Sequence, residues 1–375
     1  MMKKTVIITA VMMVAAGLAS ADNLVVTSFH SNGQVTWTFP TNGVAEYRVE
    51  WCADLLAELW CDLESGLRGI APIDDTMNES VPMSYRIKAM GPEPTNMVYI
   101  PAGWFDMGNC MDPNEGRDDE LPVHRVYVSG FYMDRYEVNG NLWGEVYADA
   151  LTNGYSFDNT GAAKGANHPV HTVNWYDVVK WANARSQIEG LTPCYYLDDA
   201  HTILFKTGTE NLSSSQVNWT ATGYRLPTEA EWEKAARGGA SGHRFPWADD
   251  TISHGRANYT ADSSYSYDLS NGLHPDYSSG DIPYTSPIGS FTPNGHGLYD
   301  MAGNAYEWCW DRYDKNYYSV SPSANPVGPL TNMPRVLRGG DYHNLPDLCR
   351  SSYRYSAQPN IEFYYMSFRL VRAAP

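Results

Sequence analysis

The chain has 375 residues, with 43 Asp and Glu against 26 Lys and Arg, and a formal net charge of -17 at pH 7. This acidity excludes a general nucleic-acid binder, because phosphate binding needs clustered basic side chains. Charged residues make up only 18% of the chain and aromatic residues 13%, which excludes global disorder. The 31 Gly and 23 Pro residues predict many turns and loops.

The first residues have the pattern of a secretory signal peptide, in which a basic start precedes an apolar run and a small-residue cleavage site. Lys3 and Lys4 come before the apolar residues 6–18, and Ala-Ser-Ala follows at 19–21. The run is short for a membrane span, although a membrane anchor is the alternative interpretation. We predict a signal peptide at residues 1–21, export, and no membrane span in the mature chain.

Six cysteines follow this segment: Cys52, Cys61, Cys110, Cys194, Cys309 and Cys349. An oxidising compartment permits disulfides, but the sequence does not choose among the connectivities. Cys52 and Cys61 are close neighbours in one module and are the best candidates for a local pair. No CxxC or HxxxH spacing occurs, so a metal site of that kind is only weakly indicated.

Short runs of β-branched and aromatic residues predict a small β-sandwich-like module at residues 22–90. The runs are residues 24–26, 34–39, 47–51 and 84–88, separated by Asn, Gly and Pro turns. Residues 91–96 have the composition of a linker. Residues 97–375 then form a larger domain.

Three helices are predicted in the larger domain. The clearest follows Thr228, which forms a capping box with Glu231, and it ends before Gly238. The other two span about residues 139–150 and 175–186. Their apolar stripes favour docking on a core over a cofactor role.

Several segments of the larger domain, taken in order, resemble one protein family. They are residues 97–103 (MVYIPAG), 105–108 (FDMG), 120–124 (ELPVH), 131–133 (FYM), 136–139 (YEVN), 168–170 (HPV), 173–177 (VNWYD), 224–233 (YRLPTEAEWE), 245–247 (FPW), 297–308 (GLYDMAGNAYEW), 335–340 (RVLRGG) and 367–371 (SFRLV). Over about residues 96–373 the chain resembles the sulfatase-modifying-factor family, whose best-known members are formylglycine-generating enzymes. The resemblance implies an α+β fold, a loop-rich variant of the C-type-lectin-like fold, preceded here by the small all-β module.

Formylglycine-generating enzymes use copper and dioxygen to oxidise a cysteine of a sulfatase peptide, and two thiolates hold their Cu(I). The resemblance places the second of these cysteines at Cys349 and the first at Asn344, and Asp341 replaces a serine of the enzymes. An amide is a poor ligand for soft Cu(I), so we expect no two-thiolate site. His343 is either a substitute nitrogen ligand or a solvent-facing loop residue. The resemblance also allows a Cys309–Cys349 disulfide.

The resemblance further implies calcium in the loop at residues 300–307. The family's ligands fall on the side chains of Asp300 and Glu307 and on the backbone carbonyls of Gly303 and Ala305. Oxygen ligands of this kind suit a hard cation, whereas the alternative is a capped turn without metal.

Two further sites follow from the same resemblance. A second calcium site would use Asn258 and the carbonyl of Tyr259, with its other half in the poorly matching stretch around Asp281. A substrate groove binding an extended peptide or a sugar would be lined by Tyr306, Tyr342, Arg350 and Tyr353. The alternative is that these groove residues only pack the loops together.

These observations leave three functions open. The first is an exported oxidoreductase that produces formylglycine. The second is a non-catalytic, calcium-stabilised lectin-like module that binds a protein, peptide or glycan. The third is a sulfoxide-forming iron enzyme of the kind that shares this domain, although those enzymes carry an additional helical domain with a His cluster, a pattern not found before residue 96.

Overall fold

The structure, a computed structural model, describes residues 93–111, 115–331 and 334–374 in full. Before residue 93 it describes the backbone of six strands and of Trp60. In that part of the chain it describes the side chains of Glu50 and residues 60–62 alone. The predicted signal peptide and part of the predicted linker lie outside the described residues. The chain divides into two compact units, the first reaching Pro94 and the second holding Thr95–Ile100 and Trp104–Ala374.

The described part of the first unit is all β. Its strands are β1 (Val25–Phe29), β2 (Val35–Thr38), β3 (Glu46–Cys52), β4 (Cys61–Leu67), β5 (Ala71–Ile73) and β6 (Ser84–Met90). They form two antiparallel three-stranded sheets, in the orders β1-β2-β5 and β4-β3-β6. The four predicted runs coincide with β1, β2, β3 and β6, whereas β4 and β5 were missed because neither has a clear apolar alternation.

The predicted Cys52–Cys61 pair falls at the end of β3 and the start of β4. In the register of these strands Trp51 lies opposite Cys61. The side chain of Cys52 lies outside the described residues, so the pairing stays a prediction.

The second unit is an α+β domain in which long irregular segments connect short elements. Its strands are β7 (Met97–Ile100), β8 (Gly103–Met107), β9 (His124–Val128), β10 (Phe131–Asp134), β11 (Tyr306–Arg312), β12 (Arg335–Arg338), β13 (Tyr355–Ala357), β14 (Met366–Ser367) and β15 (Val371–Ala373). Its helices are α1 (Gly140–Thr152), α2 (Trp175–Ile188) and α3 (Glu229–Ala236). The sheets have the orders β15-β10-β7, β13-β12-β11-β14 and β8-β9. The predicted loop-rich α+β architecture is confirmed.

The three helices start where their capping residues predict. The Thr228 side chain accepts a hydrogen bond from the backbone N–H of Glu231, whose carboxylate completes the capping box of α3. Asn174 and Asp177 form a capping box at α2, and at α1 the side chain of Asn139 accepts a hydrogen bond from the backbone N–H of Leu142. Gly238 follows α3 with a φ of 61°, a left-handed conformation that glycine adopts without strain.

Helix α3 is buried along its whole length, and its acidic side chains are neutralised inside the domain. Glu229 contacts Arg338 and Arg354, and Glu233 contacts Arg237 and Arg338. Burial raises the pKa of Glu229, but the charges of Arg354 and Arg338 lower it by more. The pKa of this carboxyl therefore lies below its usual value. This ion network ties α3 to β12 and to the segment that follows it.

In the part of the chain that the structure describes, no helix is long and apolar enough to cross a membrane.

Candidate functional site

The candidate site begins at the Gly-Gly pair after strand β12. Gly339 and Gly340 have φ values of 92° and 76°, which side chains rarely adopt. A Cβ on Gly340 would lie 2.7 Å from the carbonyl oxygen of Leu348 and 3.0 Å from the sulfur of Cys349. The glycine pair therefore folds the following segment back against Cys349.

Within this segment Asp341 organises the turn. Its buried carboxylate accepts hydrogen bonds from the backbone N–H of His343, at 2.6 Å, and from the side-chain amide of Asn344, at 3.2 Å. Burial raises the pKa of Asp341 to about 7. The amide at the place of the family's first cysteine thus faces a carboxylate, and the His343 ring is 37% exposed, as expected for a solvent-facing loop residue.

Cys349 is fully buried, in an apolar cluster with Phe245, Ile252 and Tyr259 among its members. Burial raises the pKa of its thiol well above the usual value, and the carboxylate of Asp341 adds to this effect. The uncharged thiol is therefore favoured, whereas copper binding requires the thiolate.

The disulfide between Cys309 and Cys349 that the resemblance allowed is not formed. Both residues are free thiols. Cys309 packs in a separate core cluster with Trp232 and Val336, so each sulfur is held among apolar side chains rather than facing the other.

The four side chains expected to line a substrate groove are buried instead. Tyr306, Tyr342 and Tyr353 are 3%, 1% and 3% exposed. Both terminal nitrogens of Arg350 donate to the carboxylate of Glu120, each at 2.6 Å. The structure thus agrees with the alternative, in which these residues pack the loops and do not present a surface.

A different set of aromatic side chains reaches solvent beside the Asp341 turn. We call Tyr284, His343, Phe363, Tyr364 and Tyr365 the aromatic surface. Phe363 and Tyr364 are 42% and 40% exposed. The rings of Phe363 and Tyr365 stack at 5.0 Å, and His343 lies 6.3 Å from both Tyr284 and Tyr364. The sequence signal for this surface is the Phe-Tyr-Tyr run at residues 363–365, which the sequence analysis missed.

In the loop at residues 300–307, where calcium is expected, Glu307 has several protein partners. The carboxylate of Glu307 accepts two hydrogen bonds from Arg369, at 2.6 and 2.7 Å, and one from the indole of Trp232, at 2.7 Å. The backbone N–H of Gly303 donates to the carbonyl of Gly339, and that of Asn304 donates to the carbonyl of Asn258. These two hydrogen bonds hold the loop in place. Both oxygens of Glu307 therefore already accept hydrogen bonds from protein donors.

Asp300 is less completely satisfied and has an acidic neighbour that sequence reasoning missed. One carboxylate oxygen of Asp300 accepts from the backbone N–H of Gly289 at 2.7 Å, and one of Glu137 accepts from the side-chain amide of Asn304 at 3.0 Å. The second oxygen of each accepts from no N–H donor, and the two carboxyl groups adjoin each other closely enough to influence each other's pKa. Burial raises the pKa of both carboxyl groups, that of Asp300 to about 6. The signal for Glu137 was its place in the quoted segment 136–139.

The residues expected to form a second calcium site make protein contacts. The side chain of Asn258 donates to the carbonyl of Tyr284 at 2.8 Å, and its carbonyl accepts from the N–H of Asn304 at 2.8 Å. The hydroxyl of Tyr259 donates to Asp268. Among the described residues, no group of three or more His, Cys, Asp or Glu side chains surrounds a common point suited to a metal ion.

A family model described as sulfatase-modifying factor enzyme 1-like domain matches residues 86–374. The chain belongs to the sulfatase-modifying factor family. Its relatives include the formylglycine-generating enzyme of Mus musculus, 34% identical over 282 residues, or 71% of this chain and 70% of that protein. The formylglycine-generating enzyme of Streptomyces coelicolor is 34% identical over 281 residues, or 68% of this chain and 80% of that protein.

A solved structure with the same fold is that of Treponema denticola variable protein 1. It is 27% identical, has a TM-score of 0.56, and the match covers 74% of this chain and 94% of that chain. The expected fold of this sulfatase-modifying factor family protein is thereby confirmed. The family match begins at residue 86, within β6, rather than at about 96.

Proposed function

We propose that this sulfatase-modifying factor family protein is a ligand-binding module that does not produce formylglycine. The observation that carries the proposal is the pairing of Asn344 with Asp341 beside a single buried Cys349 thiol. Cu(I) prefers soft thiolate ligands, and this site offers one protonated thiol and a hard amide. The second cysteine of the copper pair has no partner here.

An activity assay tests the loss of copper chemistry. Purified protein with Cu(I), dioxygen and a Cys-containing sulfatase peptide should give no aldehyde by mass spectrometry. The matched variant Asn344→Cys should acquire Cu(I) binding in competition with a chelator, whereas wild type and Cys349→Ser should have equal, weak affinity. Aldehyde formation by wild type that disappears in Cys349→Ser would contradict the proposal.

The aromatic surface supports binding of a peptide, protein or glycan ligand. Large rings with exposed faces give much contact area at small entropic cost, and they are enriched where proteins recognise ligands. The side chain of Lys164 lies 5.5 Å from the ring centroid of Tyr284 and adds one positive charge at the edge of this surface.

Binding measurements locate the ligand site. The probes are the labelled sulfatase peptide and an array of oligosaccharides. A double variant, Phe363→Ala with Tyr364→Ala, should lose most binding to the positive probe, because it removes both exposed rings. Leu330→Ala is the control, since Leu330 is 80% exposed but is not part of the aromatic surface. Unchanged binding by the double variant would place the ligand elsewhere.

Calcium is the second component of the proposal. The donor set near the 300–307 loop fits a hard cation because buried carboxylate oxygens of Asp300 and Glu137 accept from no N–H donor. Calcium bound there would fix the loop that carries β11, with no role in a reaction. Because a ligand that binds only the folded state raises stability, the melting temperature should fall when a chelator removes calcium.

We also propose export, supported by the signal-peptide pattern of residues 1–21. Protein recovered from outside the cytoplasm should begin at Asp22. An intact Met1 on exported, membrane-attached protein would favour the anchor alternative.

A further inference from the structure

Two arginines lie side by side where strands β11 and β12 pair. Arg312 is the last residue of β11, Arg335 is the first of β12, and the two are partners in the strand register. Within the described part of the chain, both guanidinium groups donate to neutral oxygen atoms of the backbone and of one side-chain amide. Buried arginines normally pair with a carboxylate, so this arrangement is unusual.

The two guanidinium groups converge on the same two oxygen atoms. The backbone carbonyl of Leu212 accepts from a terminal nitrogen of Arg312 at 3.0 Å and from one of Arg335 at 3.4 Å. The side-chain oxygen of Asn211 also accepts from both, at 3.4 and 2.9 Å. Two like charges held this close repel each other, and the repulsion is stronger where water is scarce.

Arg335 in particular is removed from water. It is 1% exposed, and its guanidinium carbon lies 3.7 Å from the ring centroid of Trp175 and 4.9 Å from that of Trp310. Burial and the positive charge of Arg312 lower the pKa of Arg335 to about 9, so the group still carries its charge at neutral pH. The aromatic faces attract the cation but supply no anionic charge.

A buried carboxyl group near this pair does not neutralise it. The carboxylate of Asp311 accepts a hydrogen bond from the backbone N–H of Glu229 at 2.8 Å. Burial and the negative charge of Glu229 raise the pKa of Asp311 well above its usual value. The protonated, uncharged form of Asp311 is therefore favoured, and the two arginines keep a net positive charge.

A small cavity adjoins both arginines, and its walls include Ser214, Trp310 and Pro329. The Nε atoms of Arg312 and Arg335 are buried and have no hydrogen-bond partner. The cavity has a volume of about 10 Å³, which accommodates one atom of about the size of a water molecule. Two cationic donors without partners thus lie beside room for a single small ion.

We propose that this cavity binds one monatomic anion of the chloride class, held between the guanidinium groups of Arg312 and Arg335. A sulfate or carboxylate group needs room for several heavy atoms, whereas a single ion fits the cavity. The hydroxyl of Ser214 offers a further donor. The ion would offset the repulsion between the arginines and stabilise the pairing of β11 with β12. This site shares no residue with the Asp341 turn, the 300–307 acidic groups or the aromatic surface.

Thermal melting of the full chain tests the proposal at constant pH and ionic strength, with chloride exchanged for the bulkier isethionate. Chloride should raise the melting temperature of wild type by about 2–4 °C, because it binds only the folded state. Arg312→Gln should abolish this shift, whereas the charge-retaining Arg312→Lys should keep part of it. Arg125→Gln is the matched control, since Arg125 also lies over a tryptophan ring, 5.8 Å from that of Trp104, but is exposed.

Diffraction from crystals soaked in bromide locates the ion directly, because bromide is close to chloride in size and scatters anomalously. One anomalous peak is expected between Arg312 and Arg335 in wild type and none there in Arg312→Gln. If Arg312→Gln does not fold, a wild-type cavity without bromide still contradicts the proposal.

The remaining outcomes also decide. Equal melting of wild type in the two salts, or a chloride shift that Arg312→Gln retains, would overturn the proposal, because the arginines would then be stabilised by carbonyls, rings and water alone. A bromide peak without a chloride effect on melting would mean binding at crystal concentration only and would overturn it as well. Stabilisation by acetate or sulfate but not by chloride would contradict a monatomic ion.

Discussion

Two parts of the second unit treat buried charge in opposite ways. Around α3, Glu229 and Glu233 are shared among the guanidinium groups of Arg237, Arg338 and Arg354, and all five side chains are almost completely buried. Three guanidinium groups face two carboxylates, and each carboxylate contacts two of the three, so every charge in this network has an oppositely charged partner.

Around the 300–307 loop the charges do not match. Glu137, Asp300 and Glu307 surround Arg369, and two carboxylate oxygens accept from no N–H donor. Asp341, in the neighbouring turn, is a further buried carboxylate that contacts only hydrogen-bond donors without full charge. In the α3 network every carboxylate has cationic partners, as expected of a scaffold, whereas two carboxylates around the 300–307 loop have none of their own, which is why we propose calcium there.

The largest effect is expected from breaking the α3 network. Arg338→Met removes the one guanidinium that contacts both Glu229 and Glu233, although each carboxylate keeps a second partner, Arg354 or Arg237. It should lower the free energy of unfolding by about 3–5 kcal/mol, because two buried charge-assisted hydrogen bonds of about 1.5–3 kcal/mol each are lost. Denaturant unfolding measures it. A loss below about 1 kcal/mol, which is typical of an exposed ion pair, would show that the network is not the scaffold.

The next largest effect is expected at Gly303, which has a φ of 74° and lies where the 300–307 loop contacts the backbone of Asn258. A Cβ on Gly303 would overlap the carbonyl oxygen of Asn258, so Gly303→Ala should cost about 2–4 kcal/mol from overpacking and backbone strain. Gly154→Ala is the matched control, because Gly154 has a φ of 81° but no atom within 4 Å of an added Cβ. Equal losses in the two variants would mean that only the backbone conformation matters.

The third effect concerns pH and Asp341. Its pKa is raised from 3.8 to about 7 in the folded state, so the native protein keeps a proton that the unfolded chain has lost. Stability should therefore fall as pH rises from about 4 to about 7, with a slope of at most about 1.4 kcal/mol per pH unit from this group. Asp341→Asn should remove that part of the slope in melting experiments. A variant with an unchanged pH profile would assign the slope to other groups.

The smallest effect is expected for an ion pair near solvent. Arg256 and Asp249 contact each other at 2.7 Å, but their side chains are 40% and 37% exposed. Arg256→Met should change the free energy of unfolding by less than about 1 kcal/mol, because water screens exposed pairs. Denaturant unfolding of Arg256→Met and Arg338→Met, measured side by side, compares the loss of an exposed ion pair with the loss of a buried one. A loss as large as that of Arg338→Met would remove the distinction between them.

Much of the fold could be predicted because its signals are local. Thr228 with Glu231 located the start of α3, since a cap depends on residues three positions apart, and apolar stripes at helical spacing located α1 and α2. Strand β4 could not be found in this way, because its pairing with β3 and not its own composition makes it a strand. For the site, the sequence predicted positions but not contacts. The resemblance places Asn344 where the family has a cysteine, but only the structure shows that Asn344 contacts Asp341.

The sequence by itself determined the family and the order of its segments, and through the resemblance it predicted the absence of one copper cysteine, because each depends on which residue stands at which place. Only the tertiary structure decided which charges meet. In the fold Glu307 contacts Arg369, 62 residues away, and Arg350 contacts Glu120, 230 residues away. One carboxylate oxygen of Glu137 and one of Asp300 accept from no N–H donor. The physical reason is that the energy of a buried charge depends on the neighbours that folding brings to it, and those neighbours are distant in the chain.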